Sequence, residues 1–158
     1  MLLEGEDVGL RLKQISDEIQ RHGNNRLRCC GLTLTQFHML VYLNHQPGGQ
    51  STQKDIEEKF GVSHPTVAGI LKRLESKELV RTSVNEKDRR RKDVLLTSKG
   101  GEYAMKFRID CRDMEKTLTE HLSEDECREF CRMLDVICAN ARKVNQAMES
   151  QEEGAENG

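Results

Sequence analysis

The sequence predicts a mainly α-helical fold with a small β-hairpin wing: a winged helix-turn-helix with N- and C-terminal dimerisation helices. Three observations predict it. Apolar residues recur at helical spacing through most of the chain. The period switches to that of strands once, around a basic tip that carries Lys87, Arg89, Arg90, Arg91 and Lys92. Finally, 35% of the 158 residues are hydrophobic, 33% are charged and only 4% are aromatic, which suits long amphipathic helices better than a compact sheet.

The first helix is expected from about Asp7 to Arg28, with Val8, Leu12, Ile15, Ile19 and His22 along one stripe. Gly23 and the Asn24–Asn25 pair weaken it locally. A second helix follows with Thr35 as N-cap and with Phe37, Leu40 and Val41 facing inward; Pro47-Gly48-Gly49 ends it. A third spans about Thr52 to Phe60 and breaks at Gly61. A fourth starts with Ser63 as N-cap and Pro65 in its first turn, where a missing amide hydrogen costs little. Val67, Ile70, Leu71 and Leu74 bury one side of it. Strands are expected at about Val80–Val84 and Asp93–Thr97. Beyond them, Tyr103, Phe107, Cys111, Met114, Leu118 and Leu122 form one helical stripe. Ser123 and Glu126 make a capping box that opens a last helix, with Cys127, Phe130, Cys131, Leu134, Ile137, Cys138 and Ala141 on its apolar face. The C-terminal helices have no sheet to cover, so a second subunit is expected to complete the core.

The domain reading is therefore a helical dimerisation region over 1–32 and 98–148, a winged helix-turn-helix over 33–97, and an acidic disordered tail over 149–158. The formal net charge is −2, but charge is not spread evenly. From residue 63 to 92 nine basic residues face four acidic ones, a local surplus of five, while the tail holds Glu149, Glu152, Glu153 and Glu156 with no basic partner. Binding responds to the field within about 8–10 Å, not to the total. No apolar run of about 18 residues exists to span a membrane, and the N-terminus lacks the pattern of a signal peptide. A cytoplasmic chain with reduced cysteines is expected.

Ser63, His64, Pro65, Thr66, Gly69, Lys72 and Arg73 are left on the outside of the fourth helix, where they can meet base edges and phosphates. Ser63 has two candidate duties, cap and contact. Gly69 lets a groove come close, or is a tolerated small residue. In the wing, the flat Arg90 guanidinium suits a narrow minor groove, Asp88 holds Arg90 or the loop backbone, and Lys87, Arg89, Arg91 and Lys92 serve phosphates. Double-stranded DNA is the partner this pattern fits.

Three segments in this order, GLTLTQFHML, QKDIEEKFGVSHPTVAGILKRLESKELV and KDRRRKDVLLTSKG, resemble the MarR family of bacterial transcriptional regulators over about residues 8 to 145. The resemblance implies a homodimer with intertwined first and last helices, a palindromic operator and, usually, repression. It also implies a small effector, commonly a phenolic or other aromatic anion, that shifts the lobe separation. Nothing in the sequence selects one.

Two other readings stay open: a thiol-responsive regulator, and a winged helix that binds protein and no DNA. Cys29 and Cys30 lie beside Arg26 and Arg28, and a nearby cation lowers a thiol pKa. Cys111, Cys127, Cys131 and Cys138 fall on apolar stripes and are read as small buried hydrophobes. No pair of histidines at i, i+4 and no CxxC is present, so no metal is expected. No cofactor or catalytic set is expected either.

Overall fold

The computed structural model describes residues 7–85, 88–89, 91–106 and 108–156. Seven α-helices occur among them: α1 (Val8–Leu27), α2 (Leu34–Asn44), α3 (Gln53–Phe60), α4 (His64–Ser76), α5 (Ser98–Lys106), α6 (Arg108–Leu118) and α7 (Glu124–Glu156). Three strands accompany them: β1 (Gln50–Thr52), β2 (Val80–Val84) and β3 (Lys92–Leu96). Contacts divide the chain into two compact units between Asp113 and Met114. No helix among the described residues is long and apolar enough to cross a membrane.

Side chains that satisfy the first amides set where the helices begin. Asp7 accepts from the amide of Leu10 at 2.9 Å and starts α1. The cap of α2 is Thr33, not Thr35: Thr33 Oγ1 accepts from the Gln36 amide at 3.2 Å while Gln36 Oε1 accepts from the Thr33 amide at 3.0 Å. The reciprocal pair satisfies two amides, which Thr35 has no partner to match. Thr52 and Asp55 form the same box at the start of α3.

Helix α1 runs on through Gly23 and Asn24, and both residues tie it to α2. A Cβ on Gly23 would lie 2.7 Å from the Leu34 side chain, and Asn24 Oδ1 accepts from the Leu34 amide at 2.7 Å. The missing side chain lets α1 approach α2, and the asparagine helps cap α2. Of the remaining stripe of α1, Ile19 packs against the core, while Val8 and Ile15 are exposed among the described residues.

The core of the first unit gathers Phe37, Leu40 and Leu43 from α2, Ile56 from α3, Val67, Leu71 and Leu74 from α4, Leu79, Val80 and Val94 around the sheet, and Ala104 from α5. The sheet is antiparallel in the order β1-β3-β2, with Thr82 opposite Val94 and Ser51 opposite Val94 on the other side. The sequence reading contained no β1. Three residues carry too little pattern to register as a strand, and pairing with β3 creates it. The corner after β3 is tight. Thr97 Oγ1 donates to the Glu78 carbonyl at 2.7 Å and accepts from the Gly100 amide at 3.0 Å. A Cβ on Gly100 would sit 2.1 Å from the Leu79 carbonyl oxygen, so only glycine lets α5 start there.

In the second unit, α7 opens with the expected capping box: Ser123 Oγ accepts from the Glu126 amide at 3.3 Å, and Glu126 Oε2 accepts from the Ser123 amide at 2.8 Å. These bonds hold the Glu126 carboxyl below its ordinary range. Composition predicts a disordered tail from Glu149, but α7 continues through Glu156. Glu, Gln, Met and Ala are good helix formers, and an existing helix lengthens without a new nucleation cost. Asn157 and Gly158 lie outside the described residues. Cys131 and Cys138 are exposed and Cys127 is half-buried within the chain, not the buried hydrophobes that their spacing predicts. Within the second unit, the described residues do not cover this face of α7.

Candidate nucleic-acid interface

Helices α3 and α4 are joined by a turn at Gly61, whose φ of 61° is the left-handed conformation that glycine adopts without strain. Val62 and Ser63 lead into α4. Ser63 occupies the N-cap position, yet its hydroxyl meets Thr66 Oγ1 at 2.9 Å and caps no amide. The expected conflict between cap and contact is thereby removed. Val67, Leu71 and Leu74 are buried and fix α4 from beneath. The opposite face, with Ser63, His64, Pro65, Thr66, Gly69, Lys72 and Arg73, is exposed. Around Gly69 a Cβ would meet nothing within 4 Å. This glycine therefore serves no packing inside the chain, although it costs about 1 kcal/mol of helix stability relative to alanine.

Glu75 ties α4 to the hairpin, since its carboxylate accepts from the amide and hydroxyl of Thr82 at 2.9 and 3.0 Å. The base of the wing is closed by Asn85 and Asp93: Asn85 Nδ2 donates to both carboxylate oxygens, at 3.0 and 2.9 Å. Asn85 Oδ1 accepts from the Asp88 amide at 3.0 Å, and the Asp88 carbonyl accepts from the Arg91 amide at 2.9 Å. The backbone of Asp88 thus helps shape the turn. Arg89, Arg91 and Lys92 are exposed, and Lys92 begins β3 instead of lying in the loop. Lys87 and Arg90 lie outside the described residues.

Among the described residues, Glu75 and Asp93 are engaged with polar groups of the fold, whereas Lys72, Arg73, Arg89, Arg91 and Lys92 form no ion pair. Exposed cations without an internal counter-charge can neutralise an external anion without first breaking a bond.

Four residues of this site escaped the sequence reading. Asn85 and Asp93 flank the basic run and could have been suspected as its clamp. Gln53 and Glu57, one turn apart on α3, stand behind His64. His64 Nδ1 lies 2.7 Å from Glu57 Oε1. Gln53 is almost wholly buried, and its Nε2 donates to the same oxygen at 3.0 Å.

The proposed thiol site fares differently. Cys29 is exposed and Cys30 half-buried, and Cys30 Sγ contacts the Leu27 carbonyl at 2.9 Å. Burial pushes the Cys30 thiol up from its ordinary value, with the neighbouring Cys29 adding to the rise. The lowering expected from Arg26 and Arg28 is not what governs Cys30. No cluster of three metal-binding side chains occurs among the described residues.

The sequence profile of the MarR family matches residues 31–91, which run from the start of α2 into the wing. Over those residues the chain is similar to the MarR family. The chain is similar to MepR of Staphylococcus aureus solved as a DNA complex, with 29% identity, a TM-score of 0.81, and 86% of this chain and 99% of that chain covered. MepR in its DNA-binding conformation gives the same identity and coverage with a TM-score of 0.77. AbsC, a MarR family transcriptional regulator from Streptomyces coelicolor, shares the fold at 22% identity and a TM-score of 0.80, with 90% and 98% of the two chains covered. No curated protein matches the chain by sequence.

Proposed function

We propose that this chain is a sequence-specific DNA-binding transcriptional regulator, a repressor, that acts as a homodimer on a palindromic operator and is released by a small effector. The observation that carries the reading is that, among the described residues, Lys72 and Arg73 on the outer face of α4 and Arg89, Arg91 and Lys92 on the wing are exposed and form no ion pair. It stands in a fold 29% identical to a protein solved on DNA. Ser63, His64, Pro65, Thr66 and Gly69 are assigned to the major groove, where the N-terminal end of a recognition helix meets base edges. Lys72, Arg73, Lys87, Arg89, Arg91 and Lys92 are assigned to phosphates, and Arg90, held by the loop that Asp88 shapes, to the minor groove. Val8 and Ile15 of α1 and the apolar face of α7 are assigned to the second subunit, in a dimerisation region over 1–32 and 98–148. Two-fold symmetry then sets half-sites roughly 10 base pairs apart, centre to centre.

Selection of bound duplexes from a random pool tests this. The expected product is a palindrome with that spacing. Recovery of no enriched duplex, with the protein folded, overturns the reading in favour of a winged helix that binds protein.

A further inference from the structure

We propose that Glu57 is a positioning residue which, with Gln53, holds His64 so that DNA binding takes up protons. The inference rests on the DNA-binding reading above. His64 is the first residue of α4, and its side chain is 73% exposed, while that of Glu57 is 21% exposed. Gln53 is 4% exposed and backs the pair from the buried side. Its Nε2 lies 3.0 Å from Glu57 Oε1, 3.0 Å from His64 Nδ1 and 3.4 Å from His64 Nε2.

With Nδ1–H donating to Glu57 at 2.7 Å, Gln53 Nε2 keeps its hydrogen bond to the same carboxylate, since a second donor cannot bond the protonated Nδ1. Protonation of the ring makes the bond to Glu57 a charge-assisted pair and adds a donor at Nε2, at the exposed end of α4 assigned to the duplex. The group that receives it is a hydrogen-bond acceptor of the nucleic acid: a phosphate oxygen, or guanine N7 or O6.

The charges around the ring are few. Among the described residues, Glu57 is the titratable group that meets it. Lys54 and Glu58 on α3 pair with each other at 3.9 Å, and Asp55 is bound by Thr52. Ser63 and Thr66 are uncharged, and α4 carries no other charged residue before Lys72. The positive end of the α4 dipole lies at the same place, and the Glu57 carboxylate is the negative charge that faces it. Because the protonated form binds, affinity rises as pH falls.

The test is fluorescence anisotropy of the full chain at constant ionic strength, from about pH 8 to about pH 6. Two duplexes are used, one selected from a random pool and one of scrambled sequence. Wild type is expected to bind about tenfold tighter at the acid end, and His64→Gln to change about twofold or less. Glu57→Gln keeps an acceptor for Nδ1–H but no charge, and is expected to lose most of the pH dependence; Glu57→Asp restores part of it. A pH effect on both duplexes assigns the proton to phosphate, and an effect on the selected duplex alone assigns it to a base edge. Binding that is flat with pH, or a slope that His64→Gln leaves intact, overturns this inference and leaves DNA binding standing. His64→Gln alters an exposed side chain, so it decides the matter even where Glu57→Gln fails to fold. Absence of duplex binding at every pH overturns both.

Discussion

The winged-helix core and helix α7 have similar apolar patterning but opposite fates. Leu40, Leu43, Leu74 and Val94 are fully buried within one chain. On α7, Phe130 is 45% exposed and Val136 48% exposed, and Met133 and Ile137 are exposed as well. The difference lies in what surrounds each stripe. Helix α4 packs against α3 and β2 within a core shared with α2 and α5, so its stripe has a facing layer. Helix α7 is long, and the described residues supply no layer for its stripe. Hydrophobic periodicity identifies a face that needs covering, but not whether the same chain covers it.

This contrast can be broken at its tightest point first. Gly100→Ala places a Cβ against the Leu79 carbonyl at the corner that joins the sheet to α5. Urea denaturation is expected to show a loss of about 3 kcal/mol, because the clash is with backbone that cannot move aside. A change under 0.5 kcal/mol would mean that this corner yields, on the scale of ordinary surface substitutions at roughly that value.

The second break is on α7. Phe130→Glu and Val136→Glu each put a charge where we assign a subunit contact. Sedimentation is expected to show association weakened by about a hundredfold, from roughly 3 kcal/mol for a polar group left unpaired on burial. The amide protection of β2 and β3 should persist in the resulting monomer. Unchanged association would leave the stripe of α7 without its assigned partner.

A milder change sharpens the comparison. Gly69→Ala fills open space on α4 and should raise stability by about 0.5–1 kcal/mol, since alanine favours the helix. It should also weaken duplex binding, because the added methyl stands on the face assigned to the groove. Greater stability with unaltered affinity would make Gly69 a tolerated residue only.

The smallest effect concerns the start of α7. Ser123 holds the Glu126 carboxyl below its ordinary range, so the support given by the capping box is fully present above about pH 4.3, the usual glutamate value, and is lost as pH falls through the lowered folded value. Amide exchange in the first turn of α7 should therefore quicken in acid, and Glu126→Gln should remove most of that dependence.

Most of the fold is legible in the sequence because its elements are long and periodic: α1, α3, α4 and the β2–β3 pair begin and end within a residue or two of where caps, glycines and the period switch put them. What escapes is what depends on partners remote in sequence. Thr33 and Thr35 are equally good caps until Gln36 is seen to reach back. Gly23 reads as a weakness until Leu34 is found against it. In the candidate site, the outer face of α4 follows from spacing alone, as the complement of the buried positions. The groups that hold it in place do not. Glu57 is seven residues from His64, and Asn85 eight from Asp93, so only the turn and the hairpin that bring them together reveal the pairs.

The most direct test of the central claim, that α4 and the wing form a cationic surface for duplex DNA, is the salt dependence of binding by wild type and by an Arg89→Ala/Arg91→Ala double variant. If about six cations per subunit reach phosphate, the log–log slope for a wild-type dimer should approach roughly −10, and the double variant should flatten it by about four while the fold stays intact. A folded wild type that ignores every duplex at low ionic strength, or a double variant with the wild-type slope, would contradict it.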